Sequence, residues 1–330
     1  MTSSKRRALS HAAVTALTLS MGACGGGEAS VPAPLSIPIP PAMVTAPSSS
    51  PMTGPPTSGS GLPRTIVPSV VDGMVPSFDG VPIHYTSAGE GDAAVVFVHC
   101  WGCTSRYWDD TARHVAAKHR VVTLDLAGHG ISGTKRAKWT VHAFAEDVRA
   151  VIGALGLKRV VLVGHSMSGP ITVETAVSFP EHIVGLVPID TLHDVSRQMT
   201  PERRKKFFDE FRKDWPGTVN KIVRSLFPKT ADPRIVERVV ADELRNDPKI
   251  AIPVIEENFG YPAADKLHLL KIPIRCINAD LYPTNVEANR KLAPQFDVRI
   301  IEGVGHWPMF EAPDKFNAMV GVAVDEMLTP

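Results

Sequence analysis

From about Val71 onward, short apolar runs rich in β-branched residues alternate with stretches of helical spacing. This alternation restricts the possible folds more than any other feature. The runs are Ala94-Val95-Val96-Phe97-Val98, Val121-Val122-Thr123-Leu124, Val160-Val161-Leu162-Val163, Gly185-Leu186-Val187-Pro188-Ile189, Ile274-Arg275-Cys276-Ile277 and Val298-Arg299-Ile300-Ile301. Each has the length of a strand buried on both faces. Between them, Val141, Phe144, Val148, Val151, Ile152 and Leu155 recur at helical spacing. Strands alternating with helices predict an α/β domain whose mostly parallel sheet is covered on both faces. The Asp-Gly pair in Phe78-Asp79-Gly80-Val81 predicts an antiparallel hairpin at the start of the sheet. The strands ending near Ile189 and starting near Ile272 are about 80 residues apart, too far for a simple crossover. That interval holds Pro201 to Trp215, strongly charged with Phe207, Phe208 and Phe211 on one side, and a second such stretch from Pro233 to Leu244. It predicts a helical cap at about 191–271, lying over one end of the sheet.

The segment before Val71 has a different character. Lys5, Arg6 and Arg7 form a positive head, and Ala8 to Met21 is a mostly apolar stretch. Small residues follow in Met21-Gly22-Ala23-Cys24. This is the secretory pattern, and the apolar run is too short to span a bilayer permanently. The cysteine after Gly-Ala, followed by three glycines, resembles the lipobox of bacterial lipoproteins. That resemblance implies a signal peptide over 1–23 and a lipidated Cys24 that anchors the mature chain to a membrane at the cell envelope. A secreted soluble protein is the alternative. Residues 31–70 contain eleven prolines among Ser, Thr and Gly, so 24–70 reads as an extended linker that buries no core. The folded domain is expected over 71–330.

Charge excludes one class of partner. Lys and Arg total 35 against 34 Asp and Glu, a net of +1, which gives no electrostatic footprint for nucleic acid. A small-molecule acyl substrate and a lipid membrane are the expected partners.

Four motifs carry the chemistry. Val163-Gly164-His165-Ser166-Met167-Ser168-Gly169 follows a strand and leads into a helix, with Pro170 where a first helical turn tolerates proline. A serine at such a turn points its hydroxyl out of the sheet, towards the positive end of the helix. The stretch resembles the Gly-x-Ser-x-Gly nucleophile elbow of the α/β-hydrolase family, with Ser168 in place of the last glycine and Gly169 one residue later. His99-Cys100-Trp101-Gly102 resembles that family's His-Gly-x-Gly stretch, with Cys100 in place of glycine. Asp125-Leu126-Ala127-Gly128-His129-Gly130 resembles its loop after the fourth strand and reads as structural, Asp125 and His129 ordering the turn. Gly303-Val304-Gly305-His306 resembles the loop that delivers the family's general base; an imidazole titrates near neutrality and suits proton transfer.

The resemblance implies an α/β-hydrolase fold with an eight-stranded sheet, Ser166 as nucleophile, His306 as base, and Trp101 and Met167 N–H as the oxyanion hole. Two residues qualify as the triad acid. Asp280, after the strand Ile274 to Ile277, stands in the usual family place and is preferred; Asp190, after Ile189, is the alternative. Serine at the elbow, where dehalogenases and epoxide hydrolases of this fold have aspartate, argues against those reactions. The implied activity is hydrolysis of a carboxylic ester or related acyl bond through an acyl-enzyme. A ligand-binding or weakly active protein on the same scaffold, or a cofactor-free perhydrolase or haloperoxidase-like enzyme, are the alternatives. No His, Cys or carboxylate cluster has metal-ligand spacing, so neither metal nor cofactor is expected. Cys100 and Cys103 have a Cys-x-x-Cys spacing that leaves a disulfide and free thiols both open, and Cys276 reads as packed core. The cap aromatics Phe207, Phe208, Phe211, Trp215, Phe227, Phe259 and Tyr261 read as a pocket roof or as cap core.

Overall fold

The computed structural model describes residues 70–329. The expected signal peptide, Cys24 and nearly all of the linker lie outside the described residues.

Eight strands form one sheet: β1 (Val70–Pro76), β2 (Pro82–Ala88), β3 (Ala93–Val98), β4 (Arg120–Leu124), β5 (Arg159–His165), β6 (Ile183–Ile189), β7 (Ile274–Ala279) and β8 (Phe296–Ile301). Their spatial order is β1-β2-β4-β3-β5-β6-β7-β8. The first two pair antiparallel, β2 pairs antiparallel with β4, and every later neighbour is parallel. The expected hairpin is therefore present, and Gly80 takes the positive φ (81°) its turn requires. Each strand anticipated from an apolar run is found, extended by one to three residues. The reason is burial: β3, β5 and β6 are covered on both faces, as an almost unbroken apolar run requires.

The helices before the cap are α1 (Asp109–Val115), α2 (Val141–Ala154) and α3 (Ser168–Ser178). The interval between β6 and β7 holds five more: α4 (Pro201–Lys213), α5 (Trp215–Ser225), α6 (Pro233–Leu244), α7 (Pro248–Gly260) and α8 (Ala263–Leu267). Four of these five start alike. Thr200, Asp214, Asp232 and Asp247 each accept a hydrogen bond from a first-turn N–H, and a proline occupies the first or second helical position. An oxygen acceptor followed by proline satisfies one orphan donor and removes another. After the cap come α9 (Val286–Leu292), α10 (Pro308–Glu311) and α11 (Pro313–Leu328). Among the described residues no helix is long and apolar enough to cross a membrane.

The sheet order places the ends of β3, β5, β6, β7 and β8 side by side. In parallel sheets, ligands bind beyond the carboxyl ends of the strands. The loops that follow these strands carry the motif residues, and the cap helices touch the same loops.

Candidate active site

Ser166 occupies the turn between β5 and α3 with φ +54°. A non-glycine residue in the left-handed region is strained, and it persists only where its surroundings hold it. Here Ser166 N donates to Ile189 O at 2.9 Å and Gly169 N donates to Ser166 O at 2.9 Å. Close packing explains two glycines. A Cβ at Gly164 would lie 2.6 Å from the Thr172 methyl, and one at Gly169 would run into Thr191. The serine in place of the usual glycine finds a hydrogen-bond partner. Fully buried Ser168 donates its hydroxyl to His99 O and so ties the elbow to the end of β3.

His306 N donates to Leu226 O of the cap at 2.9 Å. Its Nδ1–H donates to Asp190 Oδ2 at 2.5 Å, so Nε2 remains as the proton acceptor. Asp190 follows β6, is 3% exposed and has φ +43°. Ala279 N, at the end of β7, donates to its other oxygen at 2.9 Å, and His193 Nε2 lies 3.6 Å from that oxygen. Burial alone would raise the Asp190 pKa; the His306 hydrogen bond and charge, with His193 beyond, hold it below the ordinary value. Of the two acids the sequence offered, this geometry sets Asp190, the alternative, against His306. Asp280 is exposed and its Oδ1 accepts from Gly303 N at 2.9 Å, which braces the turn leading to His306 from outside. Behind His306, His165 Nε2–H donates to the His306 carbonyl at 2.7 Å. Burial, with the nearby His306 charge, lowers the His165 pKa to about 3, so it is a neutral donor.

The loop after β3 is similarly braced. His99 Nδ1–H donates to Cys100 O at 2.7 Å, and its Nε2 accepts from Leu126 N at 3.0 Å. Cys100 and Cys103 are joined in a disulfide that encloses Trp101 and Gly102. Trp101 Nε1 donates to Ala251 O of α7 at 2.8 Å, and Asn258 of α7 donates to Met167 O at 2.8 Å. The cap thus holds both loops from which the expected oxyanion donors come. As expected, Asp125 orders its own loop, accepting from Ser105 N at 2.7 Å and Ile131 N at 3.1 Å.

Ser166, His306 and Trp101 line one cavity of about 160 Å³. Phe207, Phe211 and Phe259 line it from the cap, so these three are roof. The other aromatic residues have different tasks. Phe208 is fully buried cap core, Phe227 stacks on Trp307 at 4.7 Å, Trp215 meets Trp101 edge-on, and Tyr261 donates to Glu174 at 2.6 Å.

The alpha/beta hydrolase family model matches residues 95–319, more than half of the chain. This chain belongs to the alpha/beta hydrolase family. A 2-hydroxy-6-oxononadienedioate/2-hydroxy-6-oxononatrienedioate hydrolase of a Pseudomonas species is 26% identical over 254 residues, 72% of this chain and 90% of that one. An uncharacterized protein of Mycobacterium tuberculosis is 34% identical over 100 residues, which cover 30% of this chain and 29% of that protein. Among solved structures, Est816, an N-acyl homoserine lactone degrading enzyme, has a TM-score of 0.66 at 26% identity over 75% of this chain and 98% of its own. A thermophilic esterase from Thermogutta terrifontis has a TM-score of 0.68 at 22% identity over 78% of this chain and all of its own, a likeness of fold.

Sequence reasoning missed part of the cavity wall: Ile222, Val223, Leu226, Ile255 and Glu243. Helical spacing carried the signal for Glu243, because Val236, Val239, Val240 and Glu243 recur on one face of α6. Glu243 is 2% exposed. Burial, then the neighbouring Asp242 charge, raises its pKa well above the ordinary 4.5. Between the ordinary value and the raised one, folding keeps the carboxyl protonated where the unfolded chain ionises it. Stability is full below the unfolded value and falls as pH rises through it towards the folded one. The Glu243→Gln variant should match the wild type near pH 4 and exceed it increasingly above pH 5, by up to about 1.4 kcal/mol per pH unit. Denaturant titrations at several pH values check this.

Cys100, Cys103 and Glu243 form the one three-residue group among the described residues with atoms close enough to share a metal, within 4.8 Å of one another. Sequence spacing did not indicate it, because Glu243 comes from the cap. With the two sulfurs bonded to each other, the group has no thiolate to offer.

Proposed function

We propose that this hydrolase cleaves a carboxylic ester, or a closely related acyl bond, through Ser166, His306 and Asp190. Ser166 Oγ attacks the acyl carbon while His306 Nε2 takes its proton. Asp190 fixes the imidazole tautomer and stabilises the cation that forms. Trp101 and Met167 N–H groups stabilise the oxyanion. The C–O bond then breaks, and the leaving alcohol receives the proton from His306. Water, deprotonated by the same imidazole, releases the acid from Ser166. The observation that carries this reading is the 2.5 Å bond from His306 to Asp190, with His306 and the strained Ser166 lining one cavity.

A dicarboxylate substrate, as the name of the Pseudomonas relative describes, fits less well. Among the described residues, the cavity wall includes no lysine or arginine to pair with two carboxylates. Steady-state assays over p-nitrophenyl esters of increasing chain length test the reading, and saturable turnover is expected. Absence of turnover on esters, lactones and amides alike would contradict it.

The proposed location is the cell envelope, with the domain tethered through Cys24. In the native host, Cys24→Ala should move the protein from the membrane to the soluble fraction. Unchanged membrane association of that variant would remove the lipid anchor from the account.

A further inference from the structure

The proposed mechanism leaves Glu243 without a task. Its Oε2 is buried and has no hydrogen-bond partner among the described residues, a state that buried polar atoms rarely tolerate without a reason. After burial, the group acting on it is Asp242, another acid. The oxyanion loop makes room for it: Gly102 stands at φ +68°, and any side chain there would run into Glu243 Oε2. Asn246 Nδ2 donates to both Gly102 O and Glu243 O at 3.0 Å, so the end of α6 is fastened to that loop. The carboxyl is thus held against the loop that carries Trp101, in the wall of the cavity that Ser166 and His306 line. The cap's other contributions to this wall, such as Phe207, Ile222 and Phe259, are apolar.

We propose that Glu243 is a specificity residue, whose carboxyl hydrogen-bonds an oxygen function, a hydroxyl, ether or carbonyl, carried by the ester substrate a few bonds from its scissile carbonyl. The inference rests on the esterase reading above. A protonated carboxyl offers one O–H donor and a carbonyl acceptor. A substrate with a matching oxygen meets the carboxyl from the cavity that Glu243 lines; one with a methyl group in its place offers it no partner. Sites built around a buried polar group discriminate strongly in this way.

The test uses two pairs of esters that differ by one oxygen. p-Nitrophenyl 3-hydroxybutyrate against p-nitrophenyl 3-methylbutyrate probes the acyl side. 2-Methoxyethyl butyrate against butyl butyrate probes the alcohol side. Wild-type enzyme should prefer the oxygenated member of one pair by about tenfold in kcat/KM. Glu243→Gln, which keeps a donor and an acceptor, should retain most of that preference. Glu243→Leu, or Glu243→Met if the leucine variant misfolds, should bring the ratio close to one. Labelling of Ser166 by a fluorophosphonate confirms that each variant is folded. Ester turnover by the wild type without preference in either pair overturns this inference alone, whatever the variants do, and so does a preference that survives in the leucine or methionine variant. No ester turnover and no labelling of the wild type overturn it together with the esterase reading.

Discussion

Ser166→Ala should lower kcat on a p-nitrophenyl ester by about 10⁴-fold or more, with little change in stability. The effect is large because the substitution removes the attacking oxygen and leaves the other groups in place. The fold should survive because the bend is held by its backbone: Ser166 N to Ile189 O and Gly169 N to Ser166 O persist whatever side chain stands at 166. The left-handed conformation at 166 is no harder for alanine than for serine. Circular dichroism and thermal unfolding should therefore superimpose on the wild type while the initial rate falls to background. A rate within tenfold of the wild type would remove Ser166 from the chemistry.

The paired variants Asp190→Asn and Asp280→Asn should differ by orders of magnitude. At 190, one carboxylate oxygen accepts from Ala279 N and the other from His306 Nδ1–H. An asparagine keeps its carbonyl on Ala279 N and turns its NH₂ towards His306. The imidazole must then accept at Nδ1 and carry its proton on Nε2, the tautomer that cannot take a proton from serine. A loss of about 10³- to 10⁴-fold in kcat follows. At 280, the exposed carboxylate accepts from Gly303 N, and an asparagine carbonyl does the same. A change of about twofold or less is expected there. Parallel kcat measurements at saturating ester decide between the two residues, and the reverse ranking would return the triad acid to Asp280.

This choice of acid marks how far the sequence could be read. The strands were legible because burial on both faces demands near-continuous β-branched runs, and the hairpin was legible because Asp79-Gly80 fits few other turns. Ser166 and His306 were legible because each stands in a local motif that directly follows a strand. Asp190 and Asp280 follow β6 and β7, which are neighbours in the sheet, so sequence order places both near His306. What separates them is the backbone: the positive φ at Asp190 turns its carboxylate inward, where the end of β7 donates to it. Nothing in Pro188-Ile189-Asp190 announces that conformation. The partner of Ser168 was hidden for a related reason. Its hydroxyl donates to His99 O, which only the folding of β3 beside β5 supplies. Glu243 escaped notice because a carboxylate on an amphipathic helix ordinarily faces water, although its spacing from Val239 and Val240 placed it on the apolar side.

Reaction of the intact protein with a fluorophosphonate, followed by mass spectrometry, tests the account most directly, because it needs no knowledge of the natural substrate. One phosphonyl adduct should form, on the peptide containing Ser166, and its rate of formation should fall sharply in Asp190→Asn and in His306→Ala. An unmodified wild-type protein, or an adduct that persists in Ser166→Ala, would contradict the claim that Ser166 is an activated nucleophile.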